Sequence, residues 1–189
     1  MYFNDHLGDG FITLLTGDLD GDQIENVIKV SNTVNGSSDY VTFKVYKKQD
    51  TGFNLLTTRT KSYSTVLIDN NNTKSITPKF YYTGDFDGDG KMEVLVVSAS
   101  NPFGETGHPS MCYIYNLIDN TTLYAAHLLD FQKYYESEGN ISQSATAAES
   151  ISDKIILFDY NGDGKTDICH VRESGTDIYS FTRYGNSRS

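Results

Sequence analysis

An acidic, glycine-rich segment occurs three times along the chain, each time between two short apolar runs. The first copy spans Phe11 to Val30 and centres on Asp18-Leu-Asp20-Gly-Asp22-Gln-Ile24-Glu-Asn26. The second spans Phe80 to Val97 and centres on Asp85-Phe-Asp87-Gly-Asp89-Gly-Lys91-Met-Glu93. The third spans Ile155 to Val171 and centres on Asp159-Tyr-Asn161-Gly-Asp163-Gly-Lys165-Thr-Asp167. A repeat of this kind constrains the fold, because each copy must form the same local unit and bury its apolar face against a neighbour. The flanking runs are too short for helices, rich in β-branched and aromatic residues, and bounded by turn residues. Each copy therefore reads as a β-hairpin whose connection is the acidic loop.

The loops begin 67 and then 74 residues apart, and each interval has room for two more strands. In the first interval these are Tyr40 to Tyr46 and Phe53 to Thr58. In the second they are Met111 to Ile118 and Thr122 to Leu129, joined at Asp119-Asn120-Thr121. Thr176 to Tyr184 follows the third loop. The chain thus reads as one repeat domain over 1–189, with units near 8–62, 76–130 and 152–189. Four strands per unit suit the blade of a propeller or a similar stacked sheet. Asp69 to Lys74 reads as an Asn-rich turn, and Tyr134 to Asp153 as a polar loop with one short helix near Ala145 to Ser150.

The formal net charge of −10 is concentrated in the loops, which hold eleven carboxylates, Glu25 included. It argues against non-specific nucleic-acid binding, which needs clustered Lys and Arg, and against adsorption to anionic membranes. No stretch reaches the ~18 apolar residues of a membrane-spanning helix. The opening Met1-Tyr2-Phe3-Asn4-Asp5-His6 lacks the apolar core of a secretory leader, but mature secreted chains share that property, so the compartment stays open. Cys112 and Cys169 have no metal-binding spacing and read as two buried thiols rather than a disulfide framework.

The loop spacing is suited to a hard cation. In the second loop Asp85, Asp87 and Asp89 occupy positions 1, 3 and 5. Gly88 and Gly90 permit tight turns between them, the Lys91 carbonyl falls at position 7, and Glu93 closes the ring at position 9. Calcium takes six to eight oxygens at about 2.3–2.6 Å, and such a chain segment wraps them round one point. The third loop repeats this with Asp159, Asn161, Asp163, the Lys165 carbonyl and Asp167. The first has Asp18, Asp20, Asp22, the Ile24 carbonyl and Asn26. An EF-hand is excluded, because it needs a bidentate Glu at position 12 between two helices. Position 12 is Val96 in the second loop and His170 in the third, both inside apolar runs.

These residues resemble the FG-GAP/VCBS-type repeat of integrin α-subunit propellers and bacterial surface proteins. The resemblance covers about ten residues in each of three places. It implies an all-β fold of propeller-like, four-stranded antiparallel blades with calcium in the loops. About three repeats make a partial or open propeller, since closed propellers have four to eight blades. The first loop departs from the pattern, with Gln23 for Gly and Asn26 for the closing acid, so its site is expected to be the weakest or empty. A further expectation is a cell-surface or secreted location, as in large Rhs or toxin-type proteins.

No catalytic constellation stands out. His6, His108, His127 and His170 are isolated, and no Gly-x-Ser-x-Gly elbow, P-loop or His-Glu-x-x-His is present. Four Asn-x-Ser/Thr sequons (Asn35, Asn71, Asn120, Asn140) fall in expected loops. The leading reading is a non-catalytic, calcium-binding interaction or scaffold module with a protein or glycan ligand. Unpaired sheet edges invite self-association or the remainder of a larger propeller. The alternative is a carbohydrate-binding module or part of a calcium-dependent polysaccharide lyase.

Overall fold

The computed structural model describes residues 10–35, 38–63, 66–69, 72–74, 78–98, 111–127, 155–172 and 175–179. Among them every regular element is a strand. Strands β1 (Phe11–Gly17), β2 (Asn26–Asn35), β3 (Ser38–Gln49) and β4 (Gly52–Tyr63) form one antiparallel sheet in chain order. Strands β5 (Val66–Asp69) and β6 (Asn72–Lys74) make a separate hairpin, so the Asn-rich segment taken as a turn is partly strand. Strands β7 (Pro78–Gly84), β8 (Glu93–Ser98), β9 (Met111–Asn116) and β10 (Thr121–His127) form the second four-stranded sheet. Strands β11 (Ile155–Phe158), β12 (Asp167–Arg172) and β13 (Gly175–Tyr179) form the third sheet, of three strands. In each sheet the strand order is linear and the pairing antiparallel. The expected Tyr134–Asp153 loop, with its helix near Ala145, lies outside the described residues.

Each acidic loop connects the first two strands of its sheet. Gly17 faces Asn26, Gly84 faces Glu93 and Phe158 faces Asp167 at the hairpin mouths. β4 runs well past the expected end at Thr58, and β9 stops at Asn116 rather than Ile118. The second difference has a local cause: the Asn116 side chain accepts the Asp119 N–H at 2.9 Å and starts the turn early. Side chains that bond nearby backbone in this way compete with the sheet ladder.

The three sheets pack face to face. Ile28, Val30, Phe43 and Val45 of the first unit meet Tyr81, Val94, Val96 and Tyr115 of the second. Phe86, Leu95, Val97 and Ile114 of the second unit meet Ile155 and Ile168 of the third. Alternate residues of β8 therefore serve opposite cores, which explains why Val94-Leu95-Val96-Val97 is apolar without a break. Each such side chain, fully buried, contributes roughly 1.5–3 kcal/mol. Much of the tyrosine content is spent here: Tyr63 meets Tyr113 edge-on at 5.2 Å and Phe43 meets Tyr81 at 6.2 Å between ring centroids. Cys112 and Cys169 are free and buried.

The two junctions are built alike. The Met92 N–H donates to the Asp18 carbonyl at 2.7 Å, and the Thr166 N–H donates to the Asp85 carbonyl at 2.6 Å. In both, the first residue of one loop accepts from the eighth residue of the next. The long β4 adds a brace at the first junction, where Arg59 donates to the Leu117 and Ile118 carbonyls at 2.8 Å each.

Candidate metal centre

The first aspartate of each loop organises its own turn. Asp85 accepts the Gly88 N–H at 2.7 Å and the Gly90 N–H at 2.9 Å. Asp159 accepts Gly162 at 2.7 Å and Gly164 at 2.9 Å. Asp18 accepts Gly21 at 2.8 Å and Gln23 at 2.7 Å. The third acid then accepts the N–H two residues on: Asp22 from Ile24, Asp89 from Lys91, Asp163 from Lys165. Asn161 and Asp87 each accept the N–H at the fifth position. These bonds curl the chain so that side chains 1, 3 and 5 converge. Ligating oxygens of Asp18, Asp20 and Asp22 lie within 4.8 Å of one another, and so do those of Asp85, Asp87 and Asp89.

Curling requires a left-handed backbone at two positions. Gly21, Gly88 and Gly162 take φ of 76–78° at position 4, and Gly90 and Gly164 take 84° at position 6. Gln23 holds 67° at that same position, where side-chain-bearing residues are strained.

Position 9 sits beneath the loop. The Phe86 N–H donates to Glu93 Oε2 at 3.0 Å, Tyr160 to Asp167 Oδ2 at 3.0 Å, and Leu19 to Asn26 Oδ1 at 2.8 Å. All three side chains are fully buried. Each has one atom with no hydrogen-bond partner among the described residues: Glu93 Oε1, Asp167 Oδ1 and Asn26 Nδ2. A buried carboxylate oxygen without a partner costs free energy that a cation would recover. Burial, reinforced by the charges of Asp87, Asp89 and Asp85, pushes the Glu93 carboxyl up to about 8.

The three loops, alike in acid and glycine spacing, share their backbone bonding. The side chains differ. In the third loop Asn161 replaces the middle carboxylate, and Asp159 and Asp163 are exposed. Lys91 and Lys165, considered for their carbonyls, also lay their side chains over Gly21 and Gly88 of the preceding unit. The Ile24 side chain is largely exposed. One residue escaped the sequence reading altogether. Lys47, on β3, pairs in register with Asn26, and its ammonium stands 2.7 Å from Asp20 Oδ2 and 2.5 Å from Asp22 Oδ2. Those contacts, Asp20 first, push the Lys47 ammonium up to about 12, and Lys47 holds the Asp22 carboxyl below its ordinary value. The detectable signal was a loss of acid at Asn26 coupled to a lysine on the next strand.

No protein-family model matches the chain, and neither a curated protein nor a solved structure matches it. No helix among the described residues is long and apolar enough to cross a membrane.

Proposed function

We propose that the chain is a calcium-binding repeat module of propeller-like blades, acting as a non-catalytic interaction or scaffold domain of a secreted or surface protein. One observation carries the metal reading: Glu93 and Asp167, buried beneath acidic loops, each keep a carboxylate oxygen with no hydrogen-bond partner among the described residues. Asp85, Asp87, Asp89, the Lys91 carbonyl and Glu93 would hold one ion. Asp159, Asn161, Asp163, the Lys165 carbonyl and Asp167 would hold another. The donors are hard oxygens in a pliable loop, which favours calcium over magnesium, an ion that demands octahedral geometry and keeps its waters.

The role that fits is structural. Each loop supplies the carbonyl or the N–H that joins neighbouring units, so fixing the loops fixes the stack. Extracellular calcium modules bind at roughly 10⁻⁴–10⁻³ M, and tenfold excess over Kd then adds about 1.4 kcal/mol per site. The repeated junction also supports blades that stack in series, and the FG-GAP/VCBS-type resemblance of the loops points the same way. Titration calorimetry of chelator-stripped protein tests the reading: calcium binding with a raised Tm supports it, and absent binding with an unchanged melt refutes it. Glycan binding stands as a second reading because Phe158 and Tyr160 form an exposed edge-to-face pair, 6.0 Å between centroids. A glycan array, with uronic-acid polymers included, tests that reading.

A further inference from the structure

We propose that Lys47 is the resident cation of the first loop, so that this loop keeps its metal-binding shape while taking no calcium. The inference rests on the calcium reading for its contrast with the other loops, but its geometry stands apart from that reading. The Lys47 ammonium bridges Asp20 and Asp22, two of the three carboxylates that converge in that loop. A lysine ammonium is a compact point charge on a flexible stem, able to neutralise a carboxylate cluster without ordered coordination.

The ninth position changes in step. In the second and third loops the closing side chain keeps one oxygen on the loop N–H, and its other oxygen has no partner among the described residues. In the first loop the Leu19 N–H must face the Asn26 oxygen, because a donor cannot face the amide nitrogen. The atom of that buried side chain left without a partner among the described residues is therefore an N–H₂ group, a donor where calcium needs an acceptor; the acceptor so left in this loop, Asp20 Oδ1, belongs to a carboxylate whose charge Lys47 already meets through Oδ2. A carboxylate is lost at Asn26 and a positive charge is gained directly across the β2–β3 ladder at Lys47. In the second unit the β8–β9 ladder begins at Val94 opposite Tyr115, and the next residue of β9, Asn116, carries an amide rather than an amine. The cation is thus built into the fold of the first unit and must be supplied from solution in the second.

The consequence is an unequal set of loops: the first turn is fixed at any calcium concentration, whereas the others tighten as calcium rises. Two arms test this. In chelator, Lys47→Met should lower Tm by on the order of 2 °C, with Lys48→Met, one residue along the same strand, as the unchanged control. In a calcium titration the native chain should bind two ions, and the double variant Asn26→Asp with Lys47→Met should bind three. Three ions bound by the native chain would overturn the proposal, as would a double variant that still binds two. An unaltered chelator melt of Lys47→Met would overturn it as well. If no calcium binds to any form, the calcium reading fails by itself, and the chelator arm still decides the role of Lys47.

Discussion

Gly84 and Thr166 approach so closely across the second junction that a Cβ on the glycine would stand 2.7 Å from the threonine Cγ2. The first junction repeats the approach with Gly17, whose Cβ would meet Met92 Sδ at 2.9 Å. The two obstacles differ in stiffness. Both obstacles are tethered through their backbone N–H, but Thr166 is β-branched at the point of contact, whereas the Met92 thioether bends aside easily. Gly84→Ala is therefore expected to cost about 2 kcal/mol by overpacking, and Gly17→Ala under about 1 kcal/mol. Thermal melts of the two variants check the order; equal losses would mean that the stiffness of the facing side chain does not set the cost. The third unit has Phe158 at the corresponding place, 40% exposed, and Tyr160 is 63% exposed where Leu19 and Phe86 are 1%.

Glu93→Gln should act in opposite directions with and without calcium. The buried carboxylate is costly by itself and useful as a ligand. In chelator at pH 8 the glutamine variant should be more stable than the native chain by at least roughly 1 kcal/mol. In saturating calcium it should bind one ion fewer and be the less stable of the two. Melts in both media reveal the crossing; a loss of stability in both would mean that Glu93 serves packing alone.

The loops, hairpins and apolar runs were legible in the sequence because each is local. Acid and glycine spacing fixes a turn, and uninterrupted apolar residues such as Val94 to Val97 fix a strand covered on both faces. The length of β4 was not legible, since Thr58-Arg59-Thr60-Lys61-Ser62 is polar on both faces. Those residues extend because Arg59 reaches the Leu117 and Ile118 carbonyls of the next unit, while Lys61 lies 4.8 Å from the Tyr115 ring centroid. Lys47 was hidden for the same reason: its meaning depends on the β2–β3 register that sets it opposite Asn26. Gly17 and Gly84, just before the first two loops, admit a neighbouring unit, a role that no local pattern shows.

The Glu93 carboxyl, pushed up to about 8 from an ordinary 4.5, gives the metal-free chain a defined pH response. Between those values the folded chain holds a proton that the unfolded chain has released, so stability falls as pH rises from about 5 to 8. The lowered Asp22 carboxyl works the other way, but its contribution is complete below that window, and the Lys47 ammonium stays charged throughout it. In chelator, Tm should decline across the window, and Glu93→Gln should remove that part of the decline. Saturating calcium should remove it also, because a bound cation reverses the cause of the upward push. A native chain and a Glu93→Gln variant with parallel pH profiles in chelator would contradict this.

Gln23→Gly should stabilise the chain. Gln23 holds a φ of 67° at the position where the other two loops have Gly90 and Gly164 at 84°. A left-handed backbone costs a side-chain-bearing residue roughly 1–2 kcal/mol, and glycine escapes that cost. Against this, glycine gives the unfolded chain more freedom, worth about 0.5–1 kcal/mol. The bond to Asp18 Oδ2 is donated by the backbone N–H of residue 23, so the substitution keeps it. The balance favours glycine by about 0.5 kcal/mol, with the same sign in chelator and in calcium because Lys47 rather than a metal serves this loop. A stabilisation that appears only with calcium would show that the first loop takes the ion after all.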